Sequence, residues 1–110
     1  MEIFDKYRSE LNKVCLTNQV EELYAFGSVL SDQFNENSDI DFIVSILLDD
    51  PIEYAEKYFD LKFDLEKLFD KKIDLLEQKA LRNKTFKNII NQKKTLVYAR
   101  RDKGLAWRYR

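Results

Sequence analysis

The segment 39–47, Asp-Ile-Asp-Phe-Ile-Val-Ser-Ile-Leu, constrains the fold more than any other part of this chain. Its apolar residues Phe42, Ile43, Val44 and Ile46 form a nearly continuous run. Such a run is typical of a β-strand that is buried on both faces. The segment therefore predicts a strand inside a sheet that is covered by other elements.

Apolar spacing and turn signals predict the remaining elements. We expect helices over 2–18, from Asp50-Pro51 to about 70, and over about 79–91, with further strands over 21–26, 73–76 and 95–98. Asp50 suits an N-cap, and Pro51 suits the first helical position. The order α-β-β-α-β-α-β predicts an α/β (α+β) fold, with a small mixed sheet of about four strands and helices packed on it. We expect one domain over 1–99 and a basic, aromatic tail over 100–110.

The composition excludes several kinds of site. The 110 residues include no histidine, which excludes histidine-ligated zinc and Ser-His-Asp or Cys-His catalysis. A metal ion would therefore be held mainly by carboxylate oxygens, which favours Mg²⁺, Mn²⁺ or Ca²⁺. The single cysteine, Cys15, cannot form an internal disulfide. With no long apolar run and no signal-peptide pattern, we expect a cytoplasmic protein that is not bound to a membrane.

Charge is distributed unevenly along the chain, although the net charge is only −1. Residues 32–78 contain 14 acidic and 5 basic residues, whereas residues 79–110 contain 1 acidic and 11 basic residues. One interpretation is two solvated faces of a charged surface. The other is a cation-binding centre beside a basic rim that receives phosphates or an acidic partner.

Asp39 and Asp41 form a carboxylate pair at the start of the central predicted strand. Residues two apart on a strand point to the same face, about 6–7 Å apart, so these carboxylates repel each other. A bound divalent cation would remove the repulsion. The alternative is that both acids lie at a solvated strand start and cap the loop 35–38.

Two further features bear on this pair. Gly27-Ser28 follows a predicted strand, where a glycine lets a phosphate approach backbone N–H groups and the serine hydroxyl adds a donor. The same dipeptide is also common in ordinary turns.

Asp74 interrupts the apolar strand 73–76. It would join the carboxylate pair if this strand aligns with the strand that begins at Asp39. The alternative is that Asp74 is a strand-edge residue paired with Lys71 or Lys72. Three carboxylates beside a phosphate cradle are what two-metal phosphoryl transfer needs.

The pattern Phe26-Gly27-Ser28, ten residues, then Asp39-Ile40-Asp41 resembles the signature of the polymerase-β-type nucleotidyltransferase superfamily. The chain length, the strand Lys72-Ile73-Asp74-Leu75 and the stretch from Leu81 to Tyr98 are similar to its minimal nucleotidyltransferase (MNT) branch. The resemblance covers about residues 10–99. Such proteins are commonly antitoxins paired with a HEPN-domain ribonuclease toxin.

The resemblance implies a polymerase-β-like core that uses ATP as substrate with Mg²⁺, two ions being expected and Mn²⁺ being possible. It implies transfer of AMP to a tyrosine of the toxin, within a homo- or hetero-oligomer. Asp39 and Asp41 would bind both metal ions and act in catalysis. Asp74 would be the third ligand and would help to deprotonate the acceptor hydroxyl. Gly27, Ser28 and Ser38 would bind the nucleotide.

The chain departs from this pattern after Gly27-Ser28. Many relatives continue with a small-basic-Gly triplet, but here the residues are Val29-Leu30-Ser31-Asp32. Neutralisation of the triphosphate would then shift to Lys71, Lys72 or Arg82. The alternative function is a weak or inactive nucleotidyltransferase fold that neutralises the toxin by stoichiometric binding.

The tail combines basic residues with Trp107 and Tyr109. It suits three roles: contact with nucleic acid in a regulator, docking on a protein partner, or a solvated C-terminus. Nucleic-acid binding is the least expected of the three functions.

Overall fold

A four-stranded sheet forms the centre of the computed structural model, which describes residues 2–81 and 93–100. The strands are β1 (Val20–Phe26), β2 (Ile40–Ile46), β3 (Ile73–Glu77) and β4 (Thr95–Ala99), in the spatial order β3-β2-β1-β4. The pairing of β2 with β3 is parallel, whereas β1 is antiparallel to both β2 and β4. The prediction of a small mixed sheet with packed helices is confirmed.

Within the described residues, three helices accompany the sheet: α1 (Glu2–Lys6), α2 (Arg8–Thr17) and α3 (Pro51–Phe69). The single helix predicted over 2–18 is wrong, because Tyr7 leaves helical geometry with φ −106° and ψ 22°. Phe4 and Leu11, on either side of the break, are both buried, and the Tyr7 ring packs edge-on against Phe69. The helix α3 begins as predicted, with the Asp50 carboxylate accepting from the Glu53 N–H.

The predicted helix over 79–91 falls mostly outside the described residues. At its expected start, Gln78–Ala80 form a 3-10 turn. Residues 82–92, with the predicted buried side chains Phe86, Ile89 and Ile90, and the tail residues 101–110 lie outside the described part of the chain. None of the described helices combines the length and apolarity needed to cross a membrane.

The hydrophobic core lies between the helices and one face of the sheet. Alternate residues of β2, namely Ile40, Phe42 and Val44, belong to this core. The Phe4 ring lies 5.8 Å from the rings of both Phe42 and Phe69, measured between centroids. Because side chains alternate along a strand, Asp41 points to the opposite face of the sheet.

A buried asparagine connects two helices. The side chain of Asn18, which is 2% exposed, follows α2 and donates to the Val14 carbonyl and to the Asp64 carboxylate of α3, each at 2.9 Å. A buried polar group of this kind contributes to stability only while its hydrogen bonds are made.

We therefore expect Asn18→Ala to lower the free energy of unfolding by about 1–3 kcal/mol, since Asp64 loses a donor in a partly buried place. Urea denaturation followed by circular dichroism measures the change. The exposed Asn37→Ala is the control and should stay within about 0.5 kcal/mol of wild type. Equal losses in the two variants would contradict the role given to Asn18.

Candidate active site

The turn after β1 needs a glycine for two separate reasons. The backbone of Gly27 has φ +80°, a conformation that side chains with a Cβ rarely adopt. A Cβ at this position would also lie 2.5 Å from Oδ2 of Asp41. Gly27 thus starts the 3-10 turn Gly27–Leu30 while leaving room for the Asp41 carboxyl beside the backbone.

The parallel register of β2 and β3 places Asp41 directly opposite Asp74. The two carboxyl groups lie within hydrogen-bonding reach of each other, and a hydrogen bond between them would require a shared proton. Burial, followed by the hydrogen bond and charge of Asp74 and then by the charge of Asp39, raises the pKa of Asp41 from 3.8 to about 6. The prediction that strand alignment would bring Asp74 to Asp41 agrees with this geometry.

Asp39 lies one residue before β2, because the strand begins at Ile40 and not at 39 as predicted. Its side chain is partly buried, and its charge acts on Asp41. Over residues 2–81 and 93–100, no three acidic or cysteine side chains converge at metal-ligand distances. The Asp41 carboxyl contacts that of Asp74 instead.

The donor chemistry of this cluster nevertheless fits a hard divalent cation. All three side chains offer only oxygen, and the charges of Asp74 and Asp39 add to burial in raising the pKa of Asp41. A cation such as Mg²⁺ takes oxygen ligands and offsets this repulsion. Asp39, Asp41 and Asp74 are therefore the residues that would hold it.

The turn that follows Gly27 is held by its own hydrogen bonds and by the core. The Ser28 carbonyl accepts from both the N–H and the hydroxyl of Ser31, each at 2.9 Å. Val29 is buried, whereas Asp32 is exposed. The four residues 29–32 thus contribute a rigid turn and no positive charge.

Lys71 anchors the loop that leads from this turn to β2. Its ammonium donates to the carbonyls of Asn35 and Ser38, at 3.0 and 3.2 Å, and lies 4.8 Å from the centre of the Phe34 ring. The Ser38 hydroxyl accepts from the Asn35 N–H at 3.1 Å. These contacts give Lys71 and Ser38 structural roles beside Asp39, and no spacing pattern in the sequence signals them.

The other two predicted sources of positive charge contribute less to the described site. Lys72 is exposed, and its carbonyl accepts from the Ile40 N–H at 3.1 Å. Arg82 lies outside the described residues. The described site is therefore rich in carboxylates and poor in free cations.

Replacement of Gly27 by alanine should destabilise the chain by about 1–3 kcal/mol, through the strained φ and the clash with Asp41. Thermal unfolding measures the loss. In an Asp41→Ala background the same replacement should cost less, because the clashing carboxyl is gone while the strain remains. Equal costs in the two backgrounds would show that the close approach to Asp41 has no energetic consequence.

The raised pKa of Asp41 gives stability a definite pH dependence. A carboxyl whose folded pKa exceeds its unfolded value stabilises the fold below about pH 4, and this contribution is lost as the pH rises through about 6. In divalent-free buffer, Asp41→Asn should therefore gain about 1 kcal/mol over wild type at pH 7.5, allowing for solvent screening, and little at pH 4. Urea denaturation at both pH values tests this, with the exposed Asp60→Asn as control. A gain that does not change with pH would contradict the assignment.

The fold is similar to several solved structures. A chain of a toxin–antitoxin complex with AMP-PNP shares 20% identity at TM-score 0.62, over 84% of this chain and 73% of that chain. A protein assigned as a minimal nucleotidyltransferase shares 20% identity at TM-score 0.65, over 84% and 93%. A complex of a tri-AMPylated HEPN toxin of Shewanella oneidensis with its MNT antitoxin gives 17% identity at TM-score 0.59, over 88% and 73%.

Sequence comparison identifies the family. No curated protein matches the chain significantly. The family model described as polymerase beta, nucleotidyltransferase, matches residues 9–103, which is most of the chain. The chain belongs to the polymerase-β-type nucleotidyltransferase family.

Proposed function

We propose that the chain is an Mg²⁺-dependent antitoxin that transfers AMP from ATP to a tyrosine of a partner HEPN ribonuclease and so neutralises it. The observation that carries the proposal is the pairing of Asp41 with Asp74 against the backbone of Gly27. Family membership supports nucleotidyl transfer. The similar folds in complexes with AMP-PNP and with an AMPylated HEPN toxin favour ATP as donor and a toxin as acceptor.

In this proposal Asp39, Asp41 and Asp74 hold Mg²⁺, which when bound neutralises charge on the triphosphate and on the carboxylates. The main-chain N–H groups of the turn at Gly27 and Ser28 hold the triphosphate. The glycine is needed because a side chain would occupy the space next to Asp41. The Ser38 hydroxyl lies one residue from Asp39 and is a further candidate contact to the nucleotide.

The reaction is a displacement at the α-phosphorus of ATP. The acceptor oxygen forms a bond to this phosphorus, the bond to the bridging oxygen of the β-phosphate breaks, and pyrophosphate leaves with the electron pair. The hydroxyl proton passes to a carboxylate of the site. Asp74 is the candidate base, because it is exposed where Asp41 is partly buried.

The acceptor comes from another protein in this proposal. The exposed Asp74 lies on β3, an edge strand of the described sheet, where a second protein can approach. A hetero-oligomer with the toxin would complete the acceptor side of the site. The cytoplasm, where ATP and Mg²⁺ are abundant, is the compartment that suits this reaction.

A second candidate function is neutralisation by binding alone. It is favoured by one observation: the turn at 29–32 carries no basic side chain, and the nearby Lys71 ammonium already donates to two loop carbonyls. A chain that binds the triphosphate weakly would act through complex formation.

We expect label transfer from α-labelled ATP to a cognate HEPN-domain partner, dependent on Mg²⁺. Asp41→Asn and Asp74→Asn should each reduce the rate at least about 100-fold, because the metal ligands and the base are lost. Asp60→Asn, an exposed aspartate on α3, should leave the rate unchanged. Transfer that persists undiminished in Asp41→Asn would refute the catalytic role.

A toxin-activity assay separates the two candidates. The double variant Asp39→Asn/Asp41→Asn should bind the toxin but fail to protect RNA at substoichiometric amounts. If this variant neutralises the toxin as well as wild type at every ratio of antitoxin to toxin, binding alone is the function.

A further inference from the structure

Two successive peptide bonds constrain the backbone on either side of Asp39. The carbonyl of the bond between Ser38 and Asp39 accepts from the Lys71 ammonium at 3.2 Å. The N–H of the bond between Asp39 and Ile40 donates to the Lys72 carbonyl at 3.1 Å. Because each peptide bond is planar, the two contacts limit the directions in which the Asp39 side chain can leave the backbone.

These two contacts depend on the sequence to different degrees. The Lys72 carbonyl belongs to the main chain, so this contact is available whatever side chain stands at position 72. The Lys71 contact is made by a side chain, so it exists only with a donor of sufficient length at position 71. The orientation of Asp39 is therefore sensitive to the residue at position 71.

Lys71 makes more than one contact to the loop before Asp39. Its ammonium also donates to the Asn35 carbonyl at 3.0 Å and lies 4.8 Å from the centre of the Phe34 ring. The Asn35 carbonyl accepts in addition from the Ser38 N–H at 3.0 Å, which closes a turn over 35–38. One side chain thus holds both ends of the turn that precedes Asp39.

The end of α3 brings Lys71 to this loop. Asp70, which caps the helix, has φ 54° and ψ 45°, a left-handed conformation that turns the chain after its last helical residue. The strand β3 then begins at Ile73 and carries Asp74 as its second residue. The four residues 71–74 therefore include both anchors of Asp39 together with Asp74, so they set the backbone spacing between these two acids.

The positive charge of Lys71 is used on carbonyl oxygens. Within residues 2–81 and 93–100, no ion pair joins Lys71 to Asp39, Asp41 or Asp74. An ammonium bound to these carboxylates would compete with a divalent cation, because both bind the same oxygen lone pairs. Contact with the loop carbonyls leaves the carboxylate oxygens to the cation.

We propose that Lys71 is a positioning residue for Asp39. By holding the peptide bond before Asp39, it keeps this carboxylate beside the Asp41–Asp74 pair, so that the three can share a divalent cation. The inference rests on the metal site of the proposed function and extends it from the ligands to the residue that orients one of them. It gives Lys71 a role different from neutralisation of a triphosphate.

Binding of Mn²⁺ alone, measured from the loss of the electron paramagnetic resonance signal of the free ion, tests this role without ATP or a partner. Lys71→Met removes the N–H donors, so we expect about 10-fold weaker binding, as is typical when a group that orients a metal ligand is lost. Loss of the positive charge by itself would have the opposite effect, because it removes repulsion of the cation. The direction of the change therefore separates positioning from charge. Lys71→Arg, which can donate to both carbonyls, should restore most of the affinity.

A double-mutant cycle tests whether Lys71 acts through Asp39. In an Asp39→Asn background, Lys71→Met should weaken Mn²⁺ binding little further, because the carboxylate that Lys71 positions is already gone. Hydrogen exchange of the Ser38 amide should be several-fold faster in Lys71→Met than in wild type. The exposed Lys67→Met, in the last turn of α3, is the matched control for loss of a lysine and should leave both quantities close to wild type.

Tighter or unchanged Mn²⁺ binding in Lys71→Met, or unchanged exchange at Ser38, overturns the inference alone. An equal loss of affinity in the Asp39→Asn background also overturns it, because Lys71 would then act through another group. If the wild type binds no Mn²⁺, or if Asp41→Asn binds it as tightly, the metal site of the proposed function fails and the inference fails with it. Circular dichroism verifies folding, and Lys71→Gln, with an N–H donor on a shorter side chain, replaces Lys71→Met if that variant is unfolded.

Discussion

The parallel pairing of β2 with β3 is the constraint on which the rest of the candidate site depends. Its register sets Asp41 opposite Asp74. Two ionised carboxylates at this distance repel each other, and the charge of Asp74 contributes to the raised pKa of Asp41. The apolar residues of β2 that face the helices fix this register, because a shift by one residue would exchange Phe42 with Asp41. The energy of core packing thus holds the carboxylates together.

Because side chains alternate along β2, the residues that stabilise the fold and those of the candidate site lie on opposite faces of the sheet. The helices cover the face of β2 that bears Ile40, Phe42 and Val44, and they leave Asp41 on the other face. Gly27 follows β1 and lies next to this carboxyl, so the glycine turn and the acids meet at one end of the sheet. In the described part of the chain, the residues of β2 that pack against the helices and the carboxyl of Asp41 therefore lie on opposite faces of the sheet.

Much of this arrangement follows from the sequence, for identifiable reasons. The continuous apolar run of β2 and the Asp50-Pro51 helix start are local signals, and both were correct. The break at Tyr7 was not predictable, because the apolar stripe continues through it and the residues around it carry no helix-breaking signal. The role of Lys71 was also hidden, since its partners are backbone carbonyls more than thirty residues away, which carry no sequence signal.

The turn after Gly27 has a consequence for where positive charge can come from. Val29 is buried and Leu30 packs against the core, so the segment in which the resemblance led us to expect a basic side chain contributes to the hydrophobic interior. Regaining a cation on this turn would sacrifice core contacts or place charge in an apolar environment. A substitution that adds a basic side chain at Val29 would therefore be destabilising, and the proposed function would draw further positive charge from the partner surface. In the proposed function, this chain would supply the carboxylates and the main-chain N–H groups of the turn, and an assembly with the partner would supply further positive charge.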